Sequence, residues 1–400
     1  MSRLEELIAE LCPDGVEYKF LSDICDITRG RVMSKEYLRD NAGEYPVYSS
    51  QTANNGIFGF IDNYDYDCES ITWTTDGANA GSVFYRVNEK FSITNVCGLL
   101  RVIDHNIMNT KFLYYYLQIV TKDYVNSGMG NPKLMSNVMA RVLIPLTPLP
   151  VQREIVRILD NFTELTAELT AELTAELTAR EKQYEYYRNH LLTFGDDVTI
   201  STLGEISIKT YSGGTPLANN AEYYGGDIPW LRTQEVRFVD IYDTEMRITP
   251  AALKNSAARW IPENCVIVAI SGATAGRSAI NKIPLTTNQH CCCLEINPQK
   301  AHYRYVFHWV SSQYQKLKAL GQGARSDLNS GIIKGYPIPI PSLKEQTRIV
   351  AILDRFDALC NDLTSGLPAE IEARRKQYEY YRDKLLTFPA LPEGGKGATA

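Results

Sequence analysis

Apolar positions along this chain follow two different periods. Between residues 151 and 194, Ile155, Leu159, Phe162, Leu169 and Leu173 recur at spacings of three, four or seven among Arg, Glu and Gln. This spacing predicts a long amphipathic helix. The same pattern returns after residue 344. Pro148 and Pro150 precede the first helix and Pro341 the second, positions at which proline suits a helix entry. Elsewhere the runs are short and β-branched. ESITWTTDGANAGSVFY (69–85) and ENCVIVAISGATAG (263–276) are broken by Gly, Asn and Asp, as strands and turns are. The pattern predicts variable mixed α/β regions alternating with helices.

The chain is written twice. KQYEYYR stands at 182–188 and again at 376–382, an offset of 194 residues. At that offset ILD (158–160) meets ILD (352–354), LLTF (191–194) meets LLTF (385–388), and Gln152 meets Gln346. Between these copies the halves diverge, yet DGANAG (76–81) answers SGATAG (271–276) and TN (94–95) answers TN (287–288). The plan has five parts: a variable domain with an N-terminal helix (1–150), a central helix (151–194), a second variable domain (195–343), a C-terminal helix (344–388) and a disordered tail (389–400). The start, LEELIAELCPDG, reads like the junction after the first helix, so it is expected to complete the C-terminal helix in space. The fold class is α/β: two mixed domains joined by two long antiparallel helices as a coiled coil, with a pseudo-two-fold repeat.

Within the first helix, TELTAELTAELTAELTAR (163–180) counts in fours. Leu165, Leu169, Leu173 and Leu177 are expected to form a helix seam with Leu359 and Leu363 on the second. Gly366 and Pro368 predict a break in the second helix near 365–368, because an interior proline removes a backbone bond and clashes one turn back.

Composition narrows the class. Net charge is −6, which disfavours a strongly basic nucleic-acid binder. The acid is uneven, however. Residues 151–194 carry 5 Lys+Arg against 8 Asp+Glu (−3), whereas 195–343 carry 14 against 12 (+2), which leaves room for basic loops. The nine cysteines are scattered and form no CxxC pair, which suits a cytoplasmic protein. His290–Cys293 (HCCC) reads as a buried strand, since consecutive strand residues face opposite ways and do not converge on one metal ion. There is no apolar run long enough for a membrane span. No GxxxxGK[ST], GxSxG or HExxH motif occurs, which favours a binding protein over an enzyme.

Together VQREIVRILD (151–160), EQTRIVAILDRFD (345–357), the two KQYEYYR copies, STLGEI (201–206), GGTP (213–216) and IPW (228–230) resemble the specificity (S) subunit of type I restriction–modification systems. The TAEL tract resembles the spacer repeat of the type IC branch. The resemblance implies a non-catalytic subunit in which each variable domain reads half of a bipartite double-stranded DNA target. It further implies that the helices hold two modification (methyltransferase) subunits, joined by restriction subunits in the full complex. S-adenosylmethionine, ATP and Mg would then sit on those partners, with no cofactor on this chain.

Candidate DNA contacts come from polar, basic, Gly-containing loops, because Arg can chelate guanine and Asn or Gln adenine. They are Arg29, Arg31, Lys35, Gln51, Asn54, Asn55 and Lys133 in the first domain. The second domain supplies Tyr211, Thr215, Arg232, Gln234, Arg237, Arg277, Arg325 and Asn329. Candidate partner contacts are Tyr184, Tyr186, Tyr187, Tyr378, Tyr380 and Tyr381, with Tyr186 and Tyr380 turned away from the helix seam. A helical scaffold carrying two ligand- or protein-binding domains would share the duplication, and salt-dependent DNA binding distinguishes the two. The isolated chain is expected to bind DNA weakly and to gain sequence specificity only with its modification partner. Fluorescence anisotropy across a salt series checks this, and tight, salt-tolerant, sequence-specific binding by the chain alone contradicts it.

Overall fold

The structure is a computed structural model that describes residues 2–128, 130–321, 327–361 and 366–392. It divides into two compact units, Met1–Leu169 with Ala373–Ala400, and Thr170–Glu372. The division falls inside the helical segments, so each unit holds one variable domain and a piece of both helical segments. Among the described residues no helix is long and apolar enough to cross a membrane.

In the first unit, a four-stranded antiparallel sheet runs in the order Cys25–Arg29, Cys97–Val102, Ser70–Thr74, Val83–Arg86. A second sheet holds Ile57–Ile61, Tyr45–Tyr48, Lys90–Ile93 and Tyr66–Asp67. Trp73 is fully buried and donates its indole N–H to the Leu134 carbonyl at 3.0 Å. A Cβ on Gly98 would stand 2.1 Å from that indole, so the ring needs a bare backbone opposite it.

In the second unit, five strands run in the order Ser207–Tyr211, Cys291–Ile296, Val266–Ala269, Ser278–Asn281, Asp240–Ile241. Beside them Arg247–Ile248, Tyr224–Leu231 and Thr286–Thr287 form a smaller sheet. The HCCC stretch behaves as its period of two requires. Cys292 joins one core cluster, while Cys291 and Cys293 join another with Ile267 and Ala269. Each domain closes on itself through a two-stranded ladder, Tyr18–Phe20 with Leu143–Pro145 and Ile200–Thr202 with Pro337–Pro339.

Leu149–Leu191 is one helix of 43 residues. Within the tract, Thr174 and Thr178 donate their hydroxyls to the carbonyls of Thr170 and Thr174, the usual way a mid-helix Thr is satisfied. The second helical segment is two elements, Leu343–Asn361 and Leu367–Leu385. Pro368 lies in the first turn of the latter, where its missing N–H costs nothing. Residues 362–365, and Leu363 with them, lie outside the described residues.

Leu165 departs from the expected leucine seam. Leu165 is 62% exposed, whereas Leu169, Leu173, Leu177 and Leu359 are half-buried. A four-residue period overshoots the helical turn by ~40° per unit, so the four leucines sweep around the helix and do not share one line. The tail also needs correction. Val16 pairs with Ala390 in parallel, Leu391 N–H donates to the Val16 carbonyl at 3.0 Å, and Tyr18 donates to the Phe388 carbonyl at 2.9 Å. The start of the chain is thus tied to residues just past the last helix, and Leu4 shares a core cluster with Leu386 and Phe388. Residues 393–400 lie outside the described residues.

The two units make the same contacts with different chain. Gln152 is fully buried, accepts from the Asn109 N–H at 2.8 Å and donates to the Thr147 carbonyl at 2.6 Å. Gln346, also fully buried, accepts from the His302 N–H at 2.8 Å and donates to the Pro341 carbonyl at 2.9 Å. Each glutamine joins the first turn of a long helix to the start of the domain's crossover helix, Thr110–Val120 or Tyr303–Ser312. Next along each helix stands the aspartate of ILD. Asp160 accepts from Lys111 at 2.8 Å and Tyr115 at 2.7 Å. Asp354 meets Arg304 at 2.7 Å and His308 at 2.7 Å, and Arg304 also binds Asp240.

Burial works to raise the pKa of Asp354, but the hydrogen bonds and charge of His308 and Arg304 outweigh it and hold the carboxyl below its usual range. A carboxylate with a lowered folded pKa stabilises the fold above its unfolded value, ~3.9, and loses that contribution as pH falls through the folded value. Asp354→Asn is therefore expected to lower the urea midpoint at pH 7, with the difference from wild type closing below about pH 4. Gln346→Leu leaves the part-buried His302 N–H and Pro341 carbonyl without this partner. It is expected to cost roughly 2–4 kcal/mol by the same measurement.

Candidate nucleic-acid interface

In each unit the loops that carry the candidate contacts are tied together by short backbone links. In the first unit, Arg29 ends an edge strand and donates to Thr75 Oγ1 at 3.1 Å and to the Asn95 carbonyl. Thr94 Oγ1 pairs with Ser49 Oγ at 3.0 Å. Gly77 N–H donates to the Pro132 carbonyl, and Asp76 bridges Lys133. Segments 28–31, 49–51, 75–80, 94–95, 126–128 and 130–133 are thus one cluster. In the second unit, Gly214 N–H donates to the Thr287 carbonyl, Thr215 Oγ1 bonds Gln289 Oε1 at 2.5 Å, and Gly272 N–H donates to Asp327 at 3.2 Å. The turn Thr233–Glu235 packs against Gly272–Thr274. Here 212–215, 232–237, 271–277, 287–290 and 327–329 come together.

One geometric requirement recurs in both. A Cβ on Gly30 would overlap the Ile93 carbonyl, and one on Gly213 would overlap the Thr287 carbonyl. In each domain the strand leaves the sheet by crossing bare against the segment that carries the TN dipeptide. Glycine at that crossing brings the basic loop against the others.

The individual side chains differ in how free they are. Arg31 is bound by Asp65 at 3.1 Å and Tyr37 at 3.0 Å, and the Tyr37 bond, then Asp65, raise its pKa against slight burial. Glu245 gathers Arg232 at 2.8 Å and Gln234 at 3.0 Å, while Arg237 donates to the Gln234 carbonyl at 2.7 Å. Tyr211 donates to Glu295 at 2.6 Å. That bond, helped by burial, pushes the phenol up to about 12. Asn329 caps the helix Ser330–Gly335 by accepting from Ile332 N–H, so its oxygen is already engaged. Gln51 donates to the Ile57 carbonyl. Lys35, Asn54, Asn55 and Lys133 are exposed. Arg277 is half-buried, and its Nε has no hydrogen-bond partner among the described residues. Arg325 lies outside the described residues.

Sequence reasoning missed Thr75, Asn95, Gln289 and Glu245. The repeated TN dipeptide pointed to Asn95 and to the neighbour of Gln289, because both halves keep it where loops meet. Nothing local marks Glu245.

On the helices the tyrosines sort into two sets. In the first unit Phe162 stacks on Tyr381 at 6.0 Å and Thr163 Oγ1 pairs with Tyr378 at 3.0 Å. In the second, Phe356 takes Tyr184 at 6.2 Å and Tyr187 at 5.4 Å. As numbers rise along one helix they fall along the other, so the paired segments run antiparallel. Tyr184 is half-buried and turned inward beside His308. Tyr186 and Tyr380 are 65% and 62% exposed, each set edge-on to its neighbour, Tyr187 or Tyr381.

A family model described as the type I restriction modification DNA specificity domain matches this chain twice, over residues 13–179 and 195–373. A type I restriction enzyme specificity subunit from Escherichia coli is 37% identical over 299 residues, 72% of either chain. A putative type I specificity subunit from Mycoplasma pneumoniae is 34% identical over 372 residues, covering 92% of this chain and 96% of its own. Among solved structures, a chain from a study of complex assembly and conformational transition in the type I R-M system aligns with a TM-score of 0.66 at 15% identity, covering 94% and 98%. The S subunit of M. genitalium aligns at 0.51 and 16%, covering 93% and 96%; at such identity the likeness is one of fold. The doubled match falls on the same two halves that the repeated glutamine and aspartate contacts define, and the chain belongs to the type I restriction modification DNA specificity family.

Proposed function

We propose that this chain is the DNA-reading subunit of a type I restriction–modification assembly. Each loop cluster meets one half of a bipartite double-stranded target, the first through residues such as Arg29, Asn54, Asn55 and Lys133. The second uses Arg232, Gln234, Arg237, Arg277 and Thr215. The chain does no chemistry itself; methyl transfer, with S-adenosylmethionine, and ATP- and Mg-dependent steps belong to partner subunits. The observation that carries this reading is the duplication of geometry: two loop clusters built on the same glycine crossing, and two identical KQYEYYR faces. Tyr186 and Tyr380, large exposed aromatics in identical sequence, suit two copies of one partner, since aromatics are enriched where interfaces form. The restriction subunits join that complex.

The TAEL tract is read as a ruler. Four helical residues advance about 6 Å and turn about 400°, or ~40° beyond a full turn. One DNA base pair rises ~3.4 Å and turns roughly 34–36°. Adding or removing one unit therefore shifts a domain by about one base-pair step and nearly preserves the face it presents to a groove. Because the leucines already sweep around the helix, the register has no single seam to lose. Deleting Thr170 to Leu173 is expected to leave both half-targets intact and shorten the spacer between them by one base pair. Methylation mapping of host DNA reads this directly, and an unchanged spacer contradicts it.

A further inference from the structure

Among the described residues, Arg86 is the one large cation that the first domain buries almost completely, at 1% exposed. It forms no salt bridge among the described residues, and its guanidinium is held by other means. Nε donates to Thr72 Oγ1 at 3.1 Å, and the group lies 3.5 Å over the Tyr48 ring and 5.0 Å over Phe84. Aromatic faces stabilise a desolvated cation only partly, and Nη1 has no hydrogen-bond partner among the described residues. Burying a charge on these terms is costly, so what the remaining arm holds is informative. Nη2 donates to the backbone carbonyl of Asn55 at 2.9 Å.

Asn55 sits at an unusual place in the backbone. Asn54 and Asn55 are both left-handed, at φ 51° and 54°, a region non-glycine residues seldom occupy and Asn tolerates best. Two such residues in succession reverse the chain between Tyr45–Tyr48 and Ile57–Ile61 and leave both carboxamides exposed. A buried arginine therefore grips a turn from beneath while the turn shows two amides to solvent. Carboxamides bind adenine bidentately at N6 and N7 in the major groove.

We propose that Arg86 is a positioning residue for base reading, fixing the Asn54–Asn55 turn so that its carboxamides meet an adenine edge and make an A·T pair part of the first domain's half-target. The inference rests on the proposed function above. The test uses the full chain assembled with its modification subunit, methylating a DNA library in which each base pair of both half-targets is varied in turn. If the wild-type assembly methylates no bipartite target, the proposed function itself fails. Given a bipartite target, Asn54→Gly and Asn55→Gly keep the left-handed backbone and remove the amides. At least one of them is expected to relax a single A·T position in the first half-target, losing discrimination on the order of 5- to 100-fold, the worth of one bidentate base contact. Arg86→Met is expected to relax that same position and leave the second half-target untouched, whereas Arg86→Lys, which keeps a donor for the Asn55 carbonyl, retains part of the discrimination. Should Arg86→Met fail to fold, Arg86→Lys carries the comparison with the glycine variants. Full discrimination in both glycine variants overturns the proposal. So does an Arg86 variant that lowers methylation evenly at every position of the first half-target, the result of a purely structural role.

Discussion

Each domain is held to its helix by a buried polar bracket, and the placement of everything else within a unit follows from it. Gln152 and Gln346 join the helix entry to backbone groups more than forty residues away, and about two turns further on Asp160 and Asp354 clasp the crossover helix. Apolar packing alone resists separation but tolerates sliding and rotation; a carboxamide that donates one way and accepts the other does not. That directional contact ties the orientation of each helix to the orientation of the loop cluster of its domain.

The duplication was legible in the sequence because identical letters at a constant offset need no structural knowledge to find. The cysteine run was equally plain, since a strand's period of two has one physical outcome. Gln152 and Gln346 were visible as a matched pair, but not their work, because their partners are backbone groups that carry no letter. The grip on Asp354 was hidden further: in one unit the cation is Lys111 and in the other Arg304, with Tyr115 exchanged for His308. The drift of the leucines was legible too, since a period of four overshoots the helical turn by ~40° per unit, but which of them is left exposed was not. Arg86 could not be singled out at all, for nothing in VFYR announces that a charge is to be buried.

The candidate reading loops are less bare than their composition suggests. Asp65 answers Arg31, and Glu245 answers both Arg232 and Gln234. An arginine already in an exposed ion pair yields little when it exchanges one anion for another. Such pairs also hold long side chains in fixed poses, so the same carboxylates that blunt attraction to phosphate lower the entropy lost on contact with a base.

Within each unit the aromatic contacts between the two long helical segments join a residue of the first copy to a residue of the second: Phe162 with Tyr381, Tyr184 and Tyr187 with Phe356. The surface each presents is the complement of its own other end, which is the defining property of an isologous interface. A half-length gene holding one domain and one helix would encode both partners of each contact. It would satisfy them only by pairing two molecules about a two-fold axis, with the two helices antiparallel.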